Sequence, residues 1–236
     1  VVRPAGPGPL VLAATSTTDI PATVRLYGPN QRSGGAVRQL WRKLRLRDTE
    51  SAPLHASMRR VVEHRALMIV AADQLGVANS ANIAVAALDR GWTLYAHTPP
   101  RGTPLADCTA TVPVTRAWQT LYDLHDAQIA HGDLRASEIT VADDAVLLGG
   151  FGNAEYGATD AQLDSDIAQL LLTTAALYDP PSAVTAAVAT FGREAVLTAS
   201  RRLTKTAVPK RIRNALPDAP ADRKSTRLNS SHITIS

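Results

Sequence analysis

The stretch from Leu124 to Gly157, LHDAQIAHGDLRASEITVADDAVLLGGFGNAEYG, constrains this chain more than any other. Trp118, Leu121 and Leu124 recur at helical spacing and predict a helix over 114–126. His131-Gly132-Asp133-Leu134 then reads as a short loop. Two short apolar runs, 139–142 and 145–148, flank Asp143-Asp144 and predict a tight hairpin. Gly150-Phe151-Gly152 follows at once. Taken singly, His131 reads equally well as a packed core histidine, and Asp133 as a loop carboxylate capping nearby amides. The order helix, loop, hairpin, Gly-Phe-Gly is what carries information.

The flanking sequence separates by type of secondary structure. Residues 10–14 and 22–27 are strand-like, with Val24, Leu26 and Gly28 on one face and Arg25 and Tyr27 on the other. Helices are predicted over 35–46 and 57–75. The second has a stripe of Met58, Val61, Val62, Leu67, Ile69, Val70 and Leu75, with Ser57 as N-cap and Gly76 as stop. A hairpin follows (83–88 and 92–97, turning at Asp89-Arg90-Gly91), and then a Pro- and Gly-containing connector over 98–103. Helical patterns return over 161–178 and 182–198, and a basic stretch runs over 201–214. Strands lead the first half and helices the second, which predicts an α+β fold in two lobes.

This arrangement resembles the catalytic core of protein kinases and of aminoglycoside-type phosphotransferases. Their loop reads HRD or HGD, places Asn five residues after the Asp, and precedes a hairpin and a DFG-type motif. The resemblance implies a small strand-rich N-lobe over 1–106, a mainly helical C-lobe over 107–200, and ATP as ligand. It makes Asp133 the catalytic base or its vestige, with His131 beside it in the loop. It also puts Arg25 at the strand lysine that grips nucleotide phosphates, and Glu63 at the helix glutamate that pairs with that lysine. Arg keeps the charge but presents a planar fork in place of a compact ammonium. Without the resemblance, Arg25 is a solvated strand residue and Glu63 the outer face of an amphipathic helix. Asp166, near a helix start, has a structural role in either case, and the resemblance makes it a support for the loop backbone.

Two departures matter more than these matches. Glu138 stands at the Asn position and Gly150 at the DFG Asp, the two side chains that hold magnesium in the family. Glu138 still offers a carboxylate oxygen, whereas Gly150 offers none. No GxGxxG is present; Gly6 and Gly8 flank Pro7. Phosphoryl transfer rests on positioning and charge neutralisation. The sequence therefore predicts a catalytically impaired, pseudokinase-type module, regulatory or scaffolding, with no assigned metal site, magnesium in question and ATP binding left open. The alternative is an active small-molecule phosphotransferase of aminoglycoside or choline-kinase type, using Asp133 with Asp143, Asp144 or Glu155 as relocated metal ligands.

A narrower likeness lies in ATVRLYGPNQR, LWRKLRLRD, VEHRAL and HGDLRASEITV. Together these are similar to the kinase-like cytosolic region that precedes the membrane part of bacterial lysylphosphatidylglycerol synthase/flippase-like proteins. That likeness implies a cytoplasmic domain at the cytosolic face of a membrane, attached through a region C-terminal to this segment. Its partner would be a protein or an anionic membrane surface, met by a basic linker over 201–221 that carries Arg201, Arg202, Lys205, Lys210, Arg211 and Arg213. An exposed basic helix end explains the same residues without a membrane.

Composition narrows the remaining classes. The single Cys108 excludes an internal disulfide and fits a reducing cytoplasm. No apolar run reaches the roughly 20 residues that span a bilayer; the stretch 167–177 is broken by Gln169 and Thr173. Of the 25 basic residues 21 are Arg, which together with the many Ala points to a GC-rich bacterial genome. A first residue of Val predicts a fragment, and residues 222–236 read as sequencing-adapter read-through. Discounting that tail removes three basic residues and one acidic one, so the formal charge falls from +4 to +2. So small a net charge, with no helix-turn-helix or aromatic-basic surface, argues against nucleic acid as partner.

Overall fold

The computed structural model describes residues 9–15, 19–28, 57–108 and 114–203. The helix expected over 35–46, the linker beyond 203 and the 222–236 tail lie outside the described residues.

The N-terminal lobe is built on a four-stranded antiparallel sheet in the order β1-β2-β4-β3. Its strands are β1 (Leu10–Thr15), β2 (Pro21–Tyr27), β3 (Asn82–Ala87) and β4 (Thr93–His97). Helix α1 (Met58–Gln74) packs on β3 and β4. Ser57 Oγ accepts from Arg60 N at 3.4 Å to cap it, and Gly76, at φ +73, ends it. The expected stripe is corrected in phase. Val62 and Ile69 of that stripe are buried, joined by Ala66, Met68 and Ala72, while Leu67 is 64% exposed and Val70 and Leu75 also face out. Small alanines occupy the contact face, where they allow close approach to the sheet, and Leu67 sits one residue off that face.

Between α1 and β3, residues 77–79 pair with the second lobe. Ala78 forms a parallel bridge with Leu148, Asn79 N donates to Leu148 O (2.7 Å) and Leu148 N donates to Val77 O (2.8 Å). The connector after β4 enters β5 (Thr103–Pro104) through Gly102, at φ +81, where a Cβ would run into the Val141 carbonyl.

In the second lobe, β5 pairs with the hairpin β7 (Ile139–Ala142) and β8 (Ala145–Leu148), and β6 (Ile129–Ala130) pairs with β9 (Glu155–Tyr156). Asp143 and Asp144 both have positive φ (47 and 66), the requirement of a two-residue turn matched to strand twist. Helix α2 (Val114–Asp126) buries Trp118, Leu121 and Leu124 completely against α4 (Pro180–Phe191) and β8. α3 (Asp160–Leu177) and α5 (Arg193–Ser200) complete the lobe. The single helix expected over 182–198 is two: Gly192, at φ +83, turns the chain between α4 and α5. The architecture is thus α+β and two-lobed, strand-rich first and mainly helical second.

Candidate functional site

The loop His131–Leu134 is held from beneath by one polar stripe of α3. Asp166 is fully buried; Oδ2 accepts from His131 N, and Oδ1 accepts from Gly132 N at 2.8 Å. One turn on, Gln169 Oε1 accepts from Leu134 N (3.2 Å), and Thr173 Oγ1 donates to Leu134 O (2.6 Å). Residues 166, 169 and 173 share a helix face, and Gln169 and Thr173 are the residues that interrupt the apolar run in the sequence. The cap of α3 lies elsewhere, at Thr159, whose N donates to Gln162 Oε1 (2.8 Å). The Asp166 carboxylate therefore serves the loop, not its own helix end.

His131 is part of the same frame. Its Nδ1 accepts from Asp133 N at 3.1 Å, which leaves Nε2–H to donate to Gly149 O at 2.6 Å. The ring also packs on Phe151, with centroids 4.8 Å apart. One neutral histidine thereby ties the loop to the Gly150-Phe151-Gly152 turn.

The hairpin register then brings Glu138 beside Gly150, since Ile139 pairs with Leu148 and Gly149 N donates to Glu138 O (2.6 Å). Gly150 has φ +74, and a Cβ built there would lie 2.7 Å from Glu138 Oε2. Glu138 therefore fills the space that a side chain at 150 would occupy. Its other oxygen is taken: Arg135 Nη2 donates to Glu138 Oε1 at 2.6 Å, while Arg135 Nε lies 3.0 Å from Asp133 Oδ1. The second contact is an ion pair without hydrogen-bond alignment. A guanidinium thus sits between the carboxylate at the expected base position, Asp133, and Glu138, which stands at one of the two positions expected to hold magnesium. The side chains present do not fit that ion. Position 150 supplies no ligand, and both carboxylates already face a fixed cation. Asp143 and Asp144 stand at the exposed hairpin tip, roughly 15 Å away along β8 at about 3.3 Å per residue. Glu155 accepts from Gln162 Nε2 at 3.1 Å. Among the described residues, no cluster of three or more His, Cys, Asp or Glu is arranged to hold a metal.

In the N-terminal lobe the expected pairing of Arg25 with Glu63 is replaced by other partners. Arg59 Nε and Arg60 Nη1 reach Glu63 at 2.6 and 3.1 Å on the outer face of α1, and the Arg59 hydrogen bond leads in holding its carboxyl below the usual value. Arg25 Nε instead donates to His97 Nε2 at 3.3 Å. Position 65 is the one that points inward, since two residues advance about 200° around a helix. Arg65 Nη1 donates to Tyr27 OH (3.2 Å), and its guanidinium lies over Gly152.

His97 Nδ1–H donates to Thr98 O at 2.8 Å, so Nε2 is the acceptor for Arg25. Burial holds its pKa below the ordinary 6.5, helped by Arg25 and Arg65 and opposed by the Thr98 hydrogen bond. The unfolded chain therefore takes up this proton first. The stability contributed by neutral His97 is complete above about pH 6.5 and is lost as pH falls through its folded-state value. Denaturation midpoints should fall between pH 7.5 and 5.5, and His97→Gln should flatten that decline.

Arg65 and Arg135 are the site residues that sequence reasoning passed over. A basic residue two positions beyond Asp133 was the available signal for Arg135. Nothing local distinguishes Arg65 from Arg59 or Arg60.

No protein-family model matches the sequence, and no curated protein matches it. Among solved structures, a chain of the yeast RNA Pol II CTD kinase CTDK-1 complex aligns at 14% identity with a TM-score of 0.41, over 79% of this chain and 61% of that one. The segment therefore spans less than two thirds of that neighbour's length. So distant a likeness carries nothing about family or activity.

Proposed function

We propose that this domain is a catalytically impaired, kinase-like module that regulates or scaffolds and does not transfer phosphate. One observation carries the reading: Arg135 bridges Asp133 and Glu138 while Glu138 occupies the space beside Gly150. The carboxylate at the base position and the one carboxylate left at a metal-ligand position already face an internal cation. The loop frame of His131, Asp166 and Phe151 persists because it supports the fold.

The full chain, incubated with labelled ATP and magnesium or manganese across protein and aminoglycoside acceptors, should transfer no more label than Asp133→Asn. Transfer that disappears in that variant would instead establish a small-molecule phosphotransferase with Asp133 as base. Attachment at the cytosolic face of a membrane draws its support from the sequence likeness and from the basic run that begins at Arg201. Among the described residues, no helix is long and apolar enough to cross a membrane. Flotation with phosphatidylglycerol vesicles, set against neutral vesicles, checks that attachment; equal recovery with both counts against it.

A further inference from the structure

The two faces of the N-terminal sheet differ in what meets them. Arg25 and Tyr27 of β2 share one face with Tyr95 and His97 of β4, and Arg65 of α1 donates to Tyr27 OH there. Alternation puts the intervening residues on the opposite, outer face, and the register aligns them in rows across the strands. Leu10, Leu26, Leu94 and Ala86 form one row. Leu12, Val24, Ala96 and Ala84 form the next, and Ala14 pairs with Ala22. No polar side chain interrupts these rows. At the hairpin end Trp92 lies over Gly28, where a Cβ would meet its ring at 3.2 Å, and both Trp92 and Leu88 are exposed.

α1 packs on the first face. On the second, Leu10, Leu12, Val24, Leu26 and Leu94 are only partly buried. A sheet with two apolar faces needs a layer on each, and an apolar surface several strands wide is rarely left to water. The chain carries a segment suited to it. Residues 29–56 run between β2 and α1, and within them Val37, Leu40, Trp41 and Leu44 recur at helical spacing. Arg38, Arg42 and Arg45 fall on the other side of that helix. As a helix, 35–46 is about 18 Å long, close to the roughly 20 Å of a six-residue strand. It is tethered at Gly28, next after β2, and the residues between can reach about 23 Å. So short a tether gives the segment a high effective concentration at this face, ahead of a second copy or a separate ligand.

We propose that the outer face of the N-terminal sheet is the docking surface for residues 35–46 of this chain, seated through Val37, Leu40, Trp41 and Leu44. The lobe then has three layers, helix on sheet on helix. Docking turns an apolar face into a basic one, because Arg38, Arg42 and Arg45 are left on the solvent side. The inference rests on strand register and sequence pattern within the N-terminal lobe, so it can fail while the non-catalytic reading holds, and the reverse.

The test uses the full chain with Cys108→Ser and one introduced thiol, Leu12→Cys, and follows modification of that thiol by a maleimide. With the native segment it should react at least about tenfold more slowly than in urea, and Leu40→Asp with Leu44→Asp should restore most of the rate. Ala117→Cys, buried in the second lobe, should stay protected in both backgrounds, which shows that the fold persists. A second measurement leaves the rest of the stripe in place. Leu40→Cys should be protected and Arg42→Cys, about 200° around the helix, reactive. The proposal is overturned if the thiol at 12 reacts rapidly beside the native segment, if it stays protected after the double substitution, or if the thiols at 40 and 42 react alike. Protection that grows with protein concentration would assign the face to a second copy, and protection that needs phosphatidylglycerol vesicles would assign it to a membrane. Either result also overturns the proposal.

Discussion

Asp166→Ala should lower the unfolding free energy by about 3–5 kcal/mol, each buried hydrogen bond to a charged group being worth roughly 1.5–3. The carboxylate accepts from two loop amides, His131 N and Gly132 N, in a fully buried setting where water cannot replace it. Alanine leaves both donors orphaned and opens a void beside His125, whose Nε2 lies 3.4 Å from Asp166 Oδ2. Asp166→Asn keeps one acceptor and should cost about half as much. Urea denaturation checks both, provided the slope with denaturant is unchanged. A loss under about 1 kcal/mol for the alanine variant would mean that α3 does not hold the loop.

Gly150→Asp restores the carboxylate that the resemblance expects, yet it should cost about 2–4 kcal/mol and confer no magnesium binding. The backbone at 150 is left-handed, at φ +74, which a residue other than glycine adopts at a cost of roughly 1 kcal/mol. The added Cβ would also meet Glu138 Oε2 at 2.7 Å, and a third carboxylate would join Asp133 and Glu138 around Arg135. Replacing Glu138 at the same time removes both the clash and the surplus charge. Gly150→Asp with Glu138→Asn should therefore recover most of the lost stability and gain a magnesium-dependent rise in Tm. If Gly150→Asp alone gave that rise, Glu138 would not be the residue filling the space. The two positions act as one unit: the carboxylate absent at 150 is matched by one present at 138.

Much of the fold was legible because local signals agreed with tertiary ones. Ser57 and Gly76 bracket α1 by capping chemistry that needs no long-range partner. The hairpin of β7 and β8 appeared with its bounds because Asp143-Asp144 accept positive φ between two apolar runs. Trp118, Leu121 and Leu124 announce α2 by spacing alone. Failure came where neighbours chose the face. Leu67 outranks Ala66 in hydrophobicity, yet Ala66 meets the sheet because close packing favours the small side chain.

The candidate site divides along the same line. Chain order alone determined that a helix, an His-Gly-Asp loop, a hairpin and a Gly-Phe-Gly turn follow one another, and that positions 138 and 150 carry Glu and Gly. Only the folded chain decided what those residues do with one another. Glu63 turns outward to Arg59 and Arg60, Arg65 turns inward to Tyr27, and Arg135 closes between Asp133 and Glu138. Each of these is a choice of ion-pair or hydrogen-bond partner, and a charged side chain several bonds long reaches many candidates along the chain. Which one it meets depends on the rotation of a helix over a sheet and the register of a hairpin, and both are set by packing.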